Sequence, residues 1–217
     1  MNLRKVIFIC ILLFAFKSVS AQTSKLQFGV KGGLNLSTAF FNDAEAVKFK
    51  QGYHFGGTVG YLITPKFELQ SGLFFSNIGS KLEGYSICGS HFCYGENLTT
   101  IEEQYLKLPL YAAFRKNISD NLTFKIGLGP YLGYGIGGKT TNITGINKRE
   151  WDTFGNDLES LNQFDFGAGC IADIEYSKFI LGFGFESSII NLMYKKEYLN
   201  PFDYRNVNIS ISLGYKF

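Results

Sequence analysis

Apolar and polar residues alternate along this chain in segments of about ten to thirteen residues, and the connections between segments are short and long by turns. Alternation of period two marks a strand with one face buried in an apolar medium. The first segment, Leu26 to Leu36, sets Leu26, Phe28, Val30, Leu34 and Leu36 against Gln27, Lys31 and Asn35. The second, 53 to 63, collects Tyr53, Phe55, Val59, Tyr61 and Ile63, and the third, 67 to 76, collects Phe67, Leu69, Leu73 and Phe75 with Phe74 as an apolar exception on the other face. Segment four, 105 to 115, alternates Leu106, Leu108, Leu110, Ala112 and Phe114 with Lys107, Tyr111 and Arg115, and Pro109 argues mildly against a central position for it. Segments five (122 to 134), six (164 to 176), seven (179 to 190) and eight (205 to 217) repeat the pattern, the last with Val207, Ile209, Ile211, Leu213, Tyr215 and Phe217 on one face.

Eight segments is an even number, so all can pair antiparallel and the sheet can close with no free edge. The connections 64–66, 116–121 and 177–178 are short, whereas 37–52, 77–104, 135–163 and 191–204 are long. Short turns on one side and long loops on the other are the habit of outer-membrane barrels. The pattern therefore predicts an all-β fold: an eight-stranded antiparallel up-and-down transmembrane β-barrel with four long extracellular loops. The second and third loops are long enough to hold strands of their own. No segment after the N-terminus offers 18 consecutive apolar residues, so a membrane would be crossed by strands.

The N-terminus reads as an export signal. Arg4 and Lys5 precede an apolar run from Val6 to Phe16, and small residues at 19 and 21 suit cleavage after Ala21. Residues 1–21 are then a cleaved signal peptide and 22–217 the barrel domain. Cys10 lacks the small residues of a lipoprotein site, so a lipid anchor is not expected. Without Arg4, Lys5 and Lys17 the basic count falls from 21 to 18 and equals the acidic count of 18. The positive charge of the whole chain is thus a property of the signal, and no nucleic-acid partner is expected. Gly 25, Phe 22 and Tyr 13 against Pro 4 suit crowded strands with aromatic residues at membrane interfaces.

On the face opposite the apolar one, Lys31, Lys107, Lys125 and Lys216 are expected to share the lumen with Glu68, Asp165, Asp173, Glu175 and Glu186. The lumen of eight strands is only wide enough for side chains to fill, so this opposite-charge network should plug it and no conducting pore is expected. Of the remaining cysteines, Cys88 and Cys93 enclose a short polar stretch, and an oxidising compartment makes a disulfide between them the simplest reading. A metal site through His91 is the rival, but zinc wants four ligands and no second cluster is visible. Cys170 reads as a small apolar strand residue.

Several stretches resemble the PorT-type family of outer-membrane β-barrels: Phe28 to Ser37 (FGVKGGLNLS), Phe67 to Ser76 (FELQSGLFFS), Tyr105 to Tyr111 (YLKLPLY), Lys125 to Tyr131 (KIGLGPY) and Ile211 to Phe217 (ISLGYKF). The resemblance runs from about 26 to 217. It implies an outer-membrane barrel of Bacteroidota type, in a family with one member linked to type IX secretion and many with no assigned activity, and it brings no catalytic motif. The terminal Phe217 also resembles the signal that barrel-assembly machinery reads.

The expected function is non-enzymatic: a structural or surface-interaction barrel, monomeric in outer-membrane lipid and without a cofactor, whose loops meet an extracellular or envelope protein. Candidate loop contacts are Phe40, Phe41, Tyr85, His91, Phe92, Tyr94, Trp151 and Tyr198. Two alternatives remain at this point. A lipid-modifying enzyme would need a nucleophile beside a base, and His54, inward and near the outer rim, is the candidate base. A soluble lipocalin-like barrel would be apolar inside and polar outside, the inverse of the polarity here.

Overall fold

The computed structural model describes residues 25–41, 46–86, 95–155, 160–193 and 203–217, with the side chains of 41, 46, 84–86, 95 and 96 excepted. The proposed signal peptide, Cys88, His91, Phe92, Cys93, Tyr94 and Tyr198 lie outside these residues, as do the side chains of Phe41 and Tyr85.

Ten strands form: β1 (Leu26–Phe41), β2 (Ala46–Thr64), β3 (Phe67–Ser86), β4 (Gly95–Ser119), β5 (Leu122–Gly137), β6 (Lys139–Thr144), β7 (Asn147–Asp152), β8 (Phe164–Tyr176), β9 (Phe179–Ser188) and β10 (Tyr204–Lys216). Eight of them close a ring in the order β1-β2-β3-β4-β5-β8-β9-β10, every neighbour antiparallel. The seam pairs β1 with β10 from Gly29 opposite Lys216 to Phe41 opposite Tyr204. The ring leaves the wall no open sheet edge, which is what hydrocarbon demands.

Exposure follows the alternation. Val30, Leu34, Phe55, Leu73, Leu128, Phe164, Phe179 and Leu213 are exposed on the outside, whereas Lys31, Glu68, Lys107, Lys125 and Asp173 are buried inside. Aromatic pairs stud both ends of the apolar band: Tyr134 and Phe164 (5.1 Å between ring centres) at one end, Phe67 with Phe114 (5.5 Å) and Phe179 with Tyr215 (5.6 Å) at the other. Such rings anchor a barrel at the two interfaces.

The short turns Pro65–Lys66, Asp120–Asn121 and Ser177–Lys178 gather with the ends of β1 and β10 at one rim. Backbone bonds stitch that rim together: Leu62 N–H to Lys25, Arg115 N–H to Lys66, Ser177 N–H to Asn121 and Lys216 N–H to Lys178. The expected turn 116–121 is shorter than its composition suggested, because β4 continues through Ser119. At the far end the expected long loops are largely strand. β1 and β2 run into 37–52, β3 and β4 run into 77–104, and β6 and β7 form a hairpin within 135–163 that pairs with the top of β4, Asn97 to Ile101 against Thr144 to Thr140. The connection 135–163 is therefore a structured extension of the wall. Gly138 (φ +148°) turns the chain from β5 into β6, and Gly145 (φ +59°) makes the two-residue turn from β6 to β7. Both positions lie in backbone regions that favour glycine.

Pro109 is interior to β4, contrary to the expectation drawn from its missing N–H. The β3–β4 register lapses between Ser71–Leu110 and Phe74–Lys107, and the Ser71 hydroxyl donates to the Pro109 carbonyl at 2.7 Å. A side-chain bond thus stands in for part of the interrupted ladder. Val207, expected on the exposed face, is only 8% exposed.

Candidate functional site

Inside the ring the inward positions assemble into tiers. Nearest the short turns is an ionic cluster of seven side chains: Lys31, Glu68, Arg115, Lys125, Asp173, Glu175 and Lys216. Lys125 Nζ lies 3.0 Å from Glu175, 3.4 Å from Glu68 and 3.5 Å from Asp173. Lys31 donates to Asp173 at 2.7 Å, Lys216 to Glu175 at 2.8 Å, and Arg115 bridges Glu68 (3.3 Å) and Glu175 (3.2 Å). An unpaired charge here would cost several kcal/mol, so each ion needs its neighbours.

Above it lies a cavity of about 70 Å³ lined by Lys31, Asn35, His54, Gln70, Lys107 and Glu186 among others. Lys107 donates to Glu186 at 2.6 Å while its ammonium stands 4.7 Å from the Tyr131 ring centre, and the Tyr111 hydroxyl donates to Glu186 at 3.2 Å. A polar cavity of this size has room for ordered water. His54 sits in this cavity rather than near the outer rim, its Nδ1 2.9 Å from Asn35 Oδ1. Asn35 in turn donates to the Ser76 hydroxyl at 3.1 Å, and no hydroxyl among the described residues hydrogen-bonds to the imidazole. Among the described residues His54 therefore makes no hydrogen bond of the nucleophile–base kind.

The outermost tier is capped. Glu103 is fully buried and accepts from Tyr204 (2.7 Å) and Asn206 (2.6 Å), and Asp165 accepts from Tyr131 (3.1 Å). Over them Ala39, Ile101 and Tyr204 from the wall pack with Leu161 and Leu192 from the loops into an apolar plug. Backbone bonds from Leu161 N–H to Thr153 and from Asn162 N–H to Leu192 (both 2.7 Å) hold the loops in the mouth.

All nine expected lumen residues, Lys31, Glu68, Lys107, Lys125, Asp165, Asp173, Glu175, Glu186 and Lys216, face the interior. Asp165 has a tyrosine rather than a base as its donor. Arg115 was placed on the right face but left out of the charge count; with it the four bases become five and match the five acids. Glu103 and Lys50, also buried, fell inside segments taken for loops. Carrying the Tyr105–Lys107 alternation two residues back would have found Glu103. Among the loop contacts, Phe40 is 65% exposed on the outer wall, and Trp151 stands on β7 with the Arg149 guanidinium 5.4 Å from its ring centre. Among the described residues no group of three or more His, Cys, Asp or Glu is placed to hold a metal ion.

The model of the outer membrane protein beta-barrel domain family matches residues 20–194. The chain belongs to that family. It is an outer-membrane β-barrel protein, and its closing strand β10 lies beyond the matched residues. No curated protein matches the chain. Among solved structures it is similar to Ail, the attachment invasion locus protein of Yersinia pestis (TM-score 0.44, 12% identity, covering 89% of this chain and 99% of that one). It is also similar to Neisserial surface protein A (0.43, 12%, 88% and 97%) and to the N-terminal barrel of Pseudomonas aeruginosa OprF (0.33, 12%, 87% and 97%). Likeness this remote carries no information about what this family member binds.

Proposed function

We propose that this outer-membrane barrel is a non-conducting, non-enzymatic surface protein that acts through the strands rising beyond its apolar band. The observation that carries the reading is a contrast between the two parts. The lumen is charge-paired and capped, whereas the β3-β4-β6-β7 extension is a continuous sheet ending in the edge strand β7, most of that strand exposed. Binding surfaces are commonly presented this way, on a scaffold that does not move. The short-turn rim faces the periplasm and the extension faces outward, in keeping with short periplasmic turns. Within the family, the five stretches that resemble PorT-type barrels favour a role beside secretion or envelope machinery. Export through cleavage after Ala21, reading of Phe217 by the assembly machinery, a monomeric state and an extracellular or envelope protein partner complete the proposal.

Photo-crosslinkers placed in living cells at 149 and 151 on β7, and at 128 on the lipid-facing wall, test it. The reading expects a discrete protein adduct from β7 and none from 128. Adducts confined to the wall, or acyl-chain release by the purified barrel, would overturn it.

A further inference from the structure

Where β9, β10 and β1 meet, the lipid-facing wall has a gap. Gly32 occupies an outward position, so the backbone there floors a groove of about 530 Å³ walled by Val30, Phe179, Leu213 and Tyr215. The Gly32 neighbours on β10 and β2, Leu213 and Phe55, are both large and exposed, so the missing side chain leaves a dent between them.

Phe179 and Tyr215 wall the groove next to the short-turn rim, where Lys178 stands with its ammonium 5.7 Å from the Tyr215 ring centre. That rim is basic. Lys25, Lys66, Lys116 and Lys178 are all exposed, Asp120 is the acid among those turns, and among the described residues none of the four lysines is ion-paired. At the opposite end charges of both signs occur and several are paired, Lys48 with Glu83, Lys148 with Glu150 and Arg205 with Asp203. A basic collar at the level of lipid headgroups attracts anionic lipid, and a lysine leaning on an interfacial tyrosine is placed where a phosphate would lie.

We infer that this groove binds one anionic phospholipid of the periplasmic leaflet, its phosphate on Lys178 and one acyl chain along the Gly32 gap between Val30, Leu213 and Tyr215. The other rim lysines raise the local concentration of the same lipids, and Lys178, against Tyr215 of the groove wall, holds the phosphate. The inference rests on the orientation given above, with the short turns toward the periplasm.

The test is native mass spectrometry of the full barrel released from mixed micelles of phosphatidylethanolamine, phosphatidylglycerol and lipid A. One phosphatidylglycerol should be retained in preference to phosphatidylethanolamine. Lys178→Gln should lower that retention about fivefold, what a single lysine supplies near an anionic surface, and Lys66→Gln should leave it unchanged. Gly32→Leu should abolish it by filling the groove. A Cβ at 32 meets only ordinary contacts, His54 O at 3.5 Å and Phe55 Cβ at 3.6 Å, and gel mobility before and after heating verifies that each variant is folded. Equal retention of the zwitterionic lipid, or equal loss from Lys66→Gln and Lys178→Gln, would reduce the site to general attraction and overturn it. Retention of lipid A in place of phospholipid would overturn the orientation and, with it, both this site and the surface-protein reading, whereas the first two outcomes overturn the site alone.

Discussion

Single residues in this barrel matter according to whether their charge is inside or outside the ring. Lys125 touches three carboxylates within 3.5 Å and its side chain is 4% exposed, whereas Lys48 and Glu83 pair on the surface with side chains 58% and 44% exposed. Removing one partner of a buried ion cluster costs about 3–5 kcal/mol because the remaining charges stay buried without it. A surface pair is worth under about 1 kcal/mol. Lys125→Met should therefore lower the urea midpoint of the refolded barrel in vesicles far more than Lys48→Gln. Equal shifts would show that the lumen is more hydrated than its geometry implies. The same contrast explains what the sequence could disclose. Alternation assigns a face, and the nine charges it groups lie on the inner side of the ring. It does not assign height, so Asp165 could be placed inside but not matched with Tyr131, a residue 34 positions away. Glu103 and Lys50 stayed hidden for a different reason. Beyond the apolar band the outward positions become polar too, as at Glu102 and Thr100, and period two is invisible once both faces are hydrophilic.

Among the elements, β1 and the β6–β7 hairpin make opposite demands. In β1, Gly33 faces inward and Gly32 outward, and a Cβ on Gly33 would run into the Ile211 carbonyl across the closing seam. Gly33→Ala should slow folding and destabilise the barrel by about 1–3 kcal/mol, the usual range for overpacking, while Gly32→Ala should fold normally. Folding into vesicles followed by gel mobility separates the two, and identical behaviour would mean that the seam can widen. The hairpin is held more weakly, and pH should expose this. The Lys148 ammonium beside Glu150 holds that carboxyl below its ordinary value of 4.5 through a hydrogen bond and charge. A depressed folded-state pKa contributes stability that is present above 4.5 and is lost as the pH falls through the lower, folded value. The chain's one tryptophan, Trp151, lies on β7 and reports on the hairpin alone. Because an exposed ion pair contributes little, the Trp151 emission should move only slightly toward that of an exposed indole on acidification below 4.5, and Glu150→Gln should remove that shift. Strand ends of this kind were the least legible part of the fold. Segments six and eight came within a residue of β8 and β10, where short turns or the apolar band bound them. β4 was expected at 105–115 and extends over 95–119, because its upper half pairs with β3 and β6 above the membrane.

At the scale of the whole molecule, closure and occlusion are separate achievements. Eight strands close the wall, but a pore could still run through it if the inward side chains left a continuous path. Three obstacles lie in series: the seven-residue ionic tier near the short-turn rim, the Lys107–Glu186–Tyr111 layer around the 70 Å³ cavity, and the apolar plug of Ala39, Ile101, Tyr204, Leu161 and Leu192. Obstacles in series are independent, so opening one leaves the others to block ions. In planar bilayers the protein should therefore give no steady unitary conductance. Lys107→Ala combined with Glu186→Ala should also stay silent despite enlarging the central cavity, since both charges leave together and the cluster around Lys125 is untouched. Adding Leu161→Ala and Leu192→Ala still leaves that lower cluster in place, and ions crossing it would have to displace Lys31, Arg115 and Lys125 from carboxylates 2.7–3.5 Å away. Steady openings in any of these proteins would mean that the lower tier rearranges under voltage, and the reading of this barrel as a scaffold for its outer strands would give way to that of a gated channel.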